Sequence, residues 1–179
     1  MSIAAAIDRT IGAEGGYSNH AADLGGTTKW GITERVARRN GYMGDMRSLP
    51  RDTAVEIYRQ EYFVRPGFAG VFEIMPKVGE ELFDTGVNMG QAFPSLWLQQ
   101  CLNAFNNGGR HYPDIAEDGD IGPGTLRALK AYKDMRGAEG ERVLLAALNC
   151  LQGARYLEIT RKRGANEAFA FGWFKRVML

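Results

Sequence analysis

Glu14-Gly15-Gly16-Tyr17-Ser18-Asn19-His20-Ala21-Ala22-Asp23-Leu24-Gly25-Gly26-Thr27-Thr28-Lys29-Trp30-Gly31-Ile32-Thr33 interrupts an otherwise helical sequence with glycine, asparagine, aspartate and threonine. That composition predicts turns and a small, irregular β-hairpin. Upstream, Ile3, Ile7 and Ile11 recur every four residues, one face of a first helix that Gly15-Gly16 should stop. Glu14 then falls at the negative end of the helix dipole, which disfavours an ionised carboxylate, and a raised pKa suits a general acid near neutral pH. Asp23 follows nine residues later. A hairpin folded back over the helix end opposes the two carboxylates across a groove, the arrangement that glycoside hydrolysis requires. The glycines at 15, 16, 25 and 26 permit tight turns and the close approach of a bulky sugar. The Thr28 hydroxyl is a candidate to hold a water. On spacing alone, surface carboxylates and a turn-forming aspartate look the same.

Downstream, Thr33 is an expected N-cap for a helix over Glu34 to Asn40, closed by Gly41. A helix from about Arg51 to Phe63 carries Val55, Tyr58 and Tyr62 on one face, and Pro66-Gly67 ends it. Helices are expected over Lys77–Asn88 and Leu96–Phe105. After the polar stretch Asn106–Gly122, they are expected from Pro123 to Met135 and from Glu139 to Arg163, the last burying Leu144, Leu145, Leu148, Leu151 and Leu157. The tail from Asn166 concentrates Phe169, Phe171, Trp173, Phe174 and Val177 for packing. The pattern as a whole predicts a mainly α (α+β) fold. A lobe carrying the small hairpin over 1–90 and a helical lobe over 91–179 are expected to pack as one compact body.

Composition removes several classes. Hydrophobic residues at 45% and charged residues at 24% suit a globular chain and exclude disorder as the main state. A net charge of +1 argues against a nucleic-acid partner. Two histidines and two cysteines leave little material for zinc or a disulfide framework, so no metal is expected; Cys101 and Cys150 read as buried structural residues. There is no Walker A pattern, no dinucleotide-binding glycine pattern and no Gly-x-Ser-x-Gly elbow, and no cofactor is implied. No run approaches the ~20 apolar residues of a membrane span, so no stable membrane insertion is expected. The opening residues carry no basic leader, which predicts synthesis in the cytoplasm without a signal peptide. Residues 155–179 hold six basic and two acidic side chains, either a solvated helix face or a patch drawn to an anionic polymer or membrane surface.

Glu14-Gly-Gly-Tyr17, then Asp23, then Gly25-Gly26-x-Thr28-x-x-Gly31-Ile32-Thr33 closely resembles the signature of glycoside hydrolase family 108, N-acetylmuramidases of bacteria and phages. Phe83-Asp84-Thr-Gly-Val-Asn88-Met-Gly90 resembles the helix-to-loop junction after the lysozyme lobe. Trp97-Leu98-Gln99 and Asp118-Gly119-Asp-Ile121-Gly122-Pro123-x-Thr125 resemble the peptidoglycan-binding module that accompanies the family. The resemblance implies hydrolysis of the β-1,4 bond between N-acetylmuramic acid and N-acetylglucosamine. It casts Glu14 as general acid, Asp23 as second carboxylate and Thr28 as their partner. Tyr17 and Trp30 either stack on sugar rings or fill the hairpin's own core; Asn88 either meets an N-acetyl group or caps its helix. The Gly119–Thr125 motif binds glycan or stem peptide, or serves only as a loop and N-cap. A lytic transglycosylase and a non-catalytic wall-binding or secretion-assisting protein are the alternatives. The expected setting is that of an endolysin from a phage or prophage, a monomer that acts on periplasmic peptidoglycan after release through a holin lesion.

Overall fold

The computed structural model describes residues 3–13, 16–18 and 27–177. They form two packing units, 1–66 and 67–179.

In the first unit, α1 (Ile3–Ala13) turns Ile7 and Ile11 inward, as the four-residue spacing predicts. Three two-residue strands follow: β1 (Tyr17–Ser18), β2 (Thr28–Lys29) and β3 (Ile32–Thr33), antiparallel in the order β1-β2-β3. Tyr17 faces Lys29, and Thr28 stands between Ser18 and Thr33. The sheet therefore has one strand more than a hairpin. Its second turn is the pair Trp30-Gly31, both at positive φ (55° and 74°), the two-residue form that matches the twist of its flanking strands. Trp-Gly lacks the usual Asn-Gly signature. Thr33 then caps α2 (Glu34–Arg39), its hydroxyl accepting from the Val36 N–H at 3.4 Å, and Asn40 and Gly41 end the helix as expected.

A 3-10 turn at Met46–Ser48 leads into α3 (Arg51–Arg59), which continues as a π-helical turn over Gln60–Val64. The extra residue per turn shifts the face expected from the sequence. Tyr58 is buried, but Val55 and Tyr62 are half-buried, while Glu61 and Phe63 go inside. Arg39, Asn40 and Arg65 surround the Glu61 carboxylate, with Asn40 Nδ2 at 2.7 Å, which is why a charge tolerates that position.

The second unit opens on α4 (Phe68–Ile74), a helix the sequence pattern does not reveal. It is squeezed between Gly67 and Pro76, too short for a period to register. Then come α5 (Pro76–Met89), α6 (Ala92–Phe105), α7 (Pro123–Lys162) and α8 (Glu167–Val177). Phe68, Val71, Val78, Leu82, Leu98, Leu102, Leu129 and Leu144 make the centre of its core. α7 is broken at Gly137 (φ 56°, ψ −143°), inside the expected gap between two helices; only glycine adopts that backbone without strain.

A stripe of amides on one face of α6 holds the long 106–122 segment. Gln99 donates to Asp118 Oδ1 (2.8 Å) and to the Asp120 carbonyl (2.9 Å), and its own carbonyl accepts from the Gly119 N–H (2.8 Å). Asn103 and Asn106 bind Ile115 and Asp114 in the same way.

Three expectations about burial need correction. Cys101 is buried and its thiol is pushed up to about 11 by desolvation, but Cys150 is exposed, because it lies two residues off the Leu144–Leu148–Gln152 stripe of α7. Leu157 is 55% exposed, next to the last buried residue of that stripe, Tyr156. In the tail, Trp173 and Phe174 rest on Tyr156 with ring centroids 5.3 and 6.0 Å away, but Phe169 and Phe171 are 60% and 77% exposed. Among the described residues α8 packs chiefly on α7, and one face cannot turn all four rings toward it.

Candidate active site

Glu14, Asp23 and His20 lie outside the described residues. The remaining candidates fall in two places. Tyr17, Thr28 and Trp30 come together on the small sheet of the first unit, whereas Asn88 sits near the end of α5 in the second.

Thr27 and Thr28 are neighbours with different duties. The Thr27 hydroxyl donates to Glu34 Oε2 at 3.1 Å, and its carbonyl accepts from the Glu34 N–H at 2.8 Å. Arg38 grips the other Glu34 oxygen at 2.8 Å. These bonds, Arg38 first and Thr27 second, hold the Glu34 carboxyl below its ordinary range. Thr27 is thereby spent on fixing the sheet to α2. The half-buried Thr28 hydroxyl makes no side-chain hydrogen bond among the described residues, so it retains capacity for a water or ligand.

The two aromatic candidates are oriented by cations. The Trp30 indole N–H donates to the Leu49 carbonyl at 3.0 Å, and Lys29 Nζ lies 5.6 Å from its ring centroid. Lys29 also donates to the Arg47 carbonyl, and the Arg47 guanidinium covers the Tyr17 ring at 5.3 Å. Tyr17 is 38% exposed and Trp30 half-buried, so both rings border solvent rather than a closed core. Asn88 donates back to the Asp84 carbonyl (2.7 Å) and to Asp84 Oδ2 (3.2 Å), a bond pattern within its own helix.

Sequence reasoning missed a polar line inside the second unit. Gln152 donates to the Thr85 hydroxyl at 2.8 Å, and Thr85 donates to Glu81 Oε1 at 2.9 Å. Burial pushes the Glu81 carboxyl up; the Thr85 bond works against that shift and Asp84 adds to it. A native carboxyl that holds its proton more tightly than the unfolded chain contributes stability below the unfolded pKa, and the contribution fades as pH rises through the native one. The melting temperature should therefore fall as pH rises from the ordinary carboxylate range through this raised value. Glu81→Gln, which keeps an acceptor for Thr85, should flatten that fall. Melts of both proteins across pH check it; an unchanged slope would remove Glu81 as the cause.

Among the described residues, no group of three His, Cys, Asp or Glu side chains gathers to hold a metal ion, and no helix is long and apolar enough to cross a membrane.

Comparison with known proteins fits this arrangement. The solved structure of SagA from Brucella abortus shares the fold: TM-score 0.62 and 24% identity, covering 98% of this chain and 88% of that one. No match was found among curated protein sequences. The mainly α architecture with its small sheet is consistent with a lysozyme-like fold. Residues 7–90 match the glycosyl hydrolase 108 family model, which indicates a glycoside hydrolase acting on peptidoglycan, and residues 93–178 match a predicted peptidoglycan domain. The family division at 90–93 and the packing division at 66–67 do not coincide: α4 and α5 carry hydrolase-family sequence but are packed with the helices that follow.

Proposed function

We propose that the chain is an N-acetylmuramidase that cleaves the β-1,4 bond between N-acetylmuramic acid and N-acetylglucosamine. The observation that carries this reading is the placement of the family match. It spans Glu14 and Asp23, with α1 ending at Ala13 immediately before Glu14 in the chain. Glu14 protonates the glycosidic oxygen as the bond to the muramic carbon breaks. Its position after a helix C-terminus favours the protonated carboxyl that the step needs. Asp23 serves the opposite face of the sugar ring, and the uncommitted Thr28 hydroxyl helps hold the water that completes hydrolysis. Tyr17 and Trp30 offer aromatic surface to the sugars. In this reading the protein works as an endolysin, on periplasmic peptidoglycan.

Digestion of purified sacculi followed by mass analysis of the products tests the reaction. Fragments ending in reducing N-acetylmuramic acid support it; 1,6-anhydro ends would make the chain a lytic transglycosylase, and undigested sacculi a binding protein.

Approach to the wall should depend on salt. Glu158 engages Arg155 and Lys162, but Arg161, Arg163 and Lys175 form no ion pair among the described residues. These free cations attract anionic envelope polymers over a screening length of ~8 Å near physiological ionic strength. Co-sedimentation with sacculi should weaken as salt rises, and binding that ignores salt over a wide range would show that this charge plays no part.

A further inference from the structure

The second unit contains a hollow of about 620 Å³ lined by Phe105, Asn107, Tyr132, Arg136, Glu139 and Val143, with Ala104 and Gly140 completing its wall. Its floor is aromatic: the Phe105 and Tyr132 rings stack with centroids 5.9 Å apart. The floor's own polar groups are satisfied internally, since the Tyr132 hydroxyl donates to the Gly140 carbonyl at 2.9 Å and the nearby Tyr112 hydroxyl to the Leu102 carbonyl at 2.8 Å. Gly140 packs closely in the wall, where a Cβ would lie 2.4 Å from Arg136 Cβ and 3.1 Å from the Tyr132 ring.

The rim is different. Arg136 and Glu139 flank the break at Gly137, and among the described residues neither forms an ion pair or a side-chain hydrogen bond. The exposed Asn107, itself held at φ 58°, adds an amide without a side-chain partner among the described residues. The helix break at Gly137 thus leaves two opposite charges, uncommitted among the described residues, above a satisfied apolar floor, the combination of apolar wall and a few polar groups that a binding site offers. By contrast, the Asp118–Thr125 motif, the other candidate for contact with the wall, is occupied by its bonds to Gln99 and serves as a loop and helix start.

The charges select the ligand. A guanidinium and a carboxylate on one rim fit a molecule carrying both an anion and a cation, and the floor fits short apolar side chains. The sugar backbone of peptidoglycan is N-acetylated and offers no ammonium. Its peptide stem offers free carboxylates, the amine of its diamino acid and alanine methyl groups. We infer that this hollow binds the peptide stem of peptidoglycan rather than its sugar backbone, with Arg136 on a stem carboxylate and Glu139 on the free amine. The inference rests on the reading that the chain acts on peptidoglycan, and it assigns the two polymers of the wall to different parts of the molecule. Asn107 is placed to meet a peptide-bond group, and Phe105, Tyr132 and Val143 the alanine methyls.

Calorimetric titration of the full chain with a free stem tetrapeptide (alanine, glutamate, diamino acid, alanine), and separately with chitotetraose, tests this. A parallel co-sedimentation on ice uses intact sacculi with and without an excess of the free tetrapeptide. The tetrapeptide should bind, and Arg136→Ala and Glu139→Gln should each weaken it about tenfold, the loss of one charge-assisted contact. Both side chains are exposed, so the variants should melt with the parent. Excess free tetrapeptide should lower the protein's retention on intact sacculi. Retention of intact sacculi with no tetrapeptide binding, or with both variants binding as the parent does, would overturn the stem site and leave the wall reading standing. Failure to retain intact sacculi at all would overturn both.

Discussion

Glu14→Gln protein should lose at least ~10²-fold in the rate of peptidoglycan digestion, and as much as ~10⁴-fold, the usual range for removal of a general acid. Glutamine keeps the size of the side chain and much of its hydrogen bonding, but carries no proton that it can give up at neutral pH. Binding to the wall should survive, so the loss should fall on turnover. Stability should survive too. The residue follows the last turn of α1, where a neutral glutamine sets no charge against the helix dipole. The measurement pairs a sacculus-digestion rate with a thermal melt of the same preparation. Parental turnover by a well-folded variant would end the mechanism proposed above. Asp23→Asn should also slow digestion, which separates a two-carboxylate reaction from one that runs on Glu14 alone.

Removal of residues 91–179 should abolish cooperative folding of what remains of the second unit, rather than only weaken attachment to the wall. The cut strips α6 and α7 from α4 and α5, although family sequence runs to residue 90. It uncovers Phe68, Val71, Val78, Leu82 and Phe83, each at most 1% exposed in the full chain. At ~1.5–3 kcal/mol for each buried side chain, the loss is of the same size as the ~5–15 kcal/mol that holds a whole domain folded. It also leaves the Thr85 hydroxyl without Gln152 and the Lys77 N–H without the Glu141 carboxylate, 3.1 Å away in the intact chain. Circular dichroism of the 1–90 fragment should show helix lost beyond its proportional share. A sharp single melt near the temperature of the full chain would place the fold boundary at 90 after all.

Much of this architecture is written in local signals. The Ile3–Ile7–Ile11 period, the Thr33 cap, the Pro123 start and the Gly137 break each act through the residue's own backbone or its nearest turn, so the sequence displays them. α4 and the third strand were hidden for the opposite reason. Seven residues are too few for a helical period, and two-residue strands take their identity from partners rather than from composition. The end of the α3 face was misplaced because a π turn adds a residue to the count and turns Glu61 inward, where its carboxylate meets Arg65 and, from α2, Arg39. The candidate site divides in the same way. Glu14, Asp23 and Thr28 stand out in a glycine-rich signature, but the engagement of Thr27 by Glu34, which leaves Thr28 available, appears only when the sheet meets α2. The Glu81–Thr85–Gln152 line is invisible in the chain, since its last member lies 67 residues beyond the hydroxyl it binds.

The two thiols of this protein are chemically unequal. Cys101 is enclosed in the core and held as the unreactive thiol, whereas Cys150 stands in solvent on the outer side of α7. A maleimide dye should therefore attach at one position without any engineering, on the helix that also carries the stem-peptide hollow. The same asymmetry sets a condition for measurement. In aerated buffer two copies can join through Cys150, and the resulting covalent dimer would present two wall-binding surfaces at once, inflating apparent affinity for an insoluble polymer by avidity. Reductant, or Cys150→Ser, keeps sedimentation with sacculi a property of the single chain.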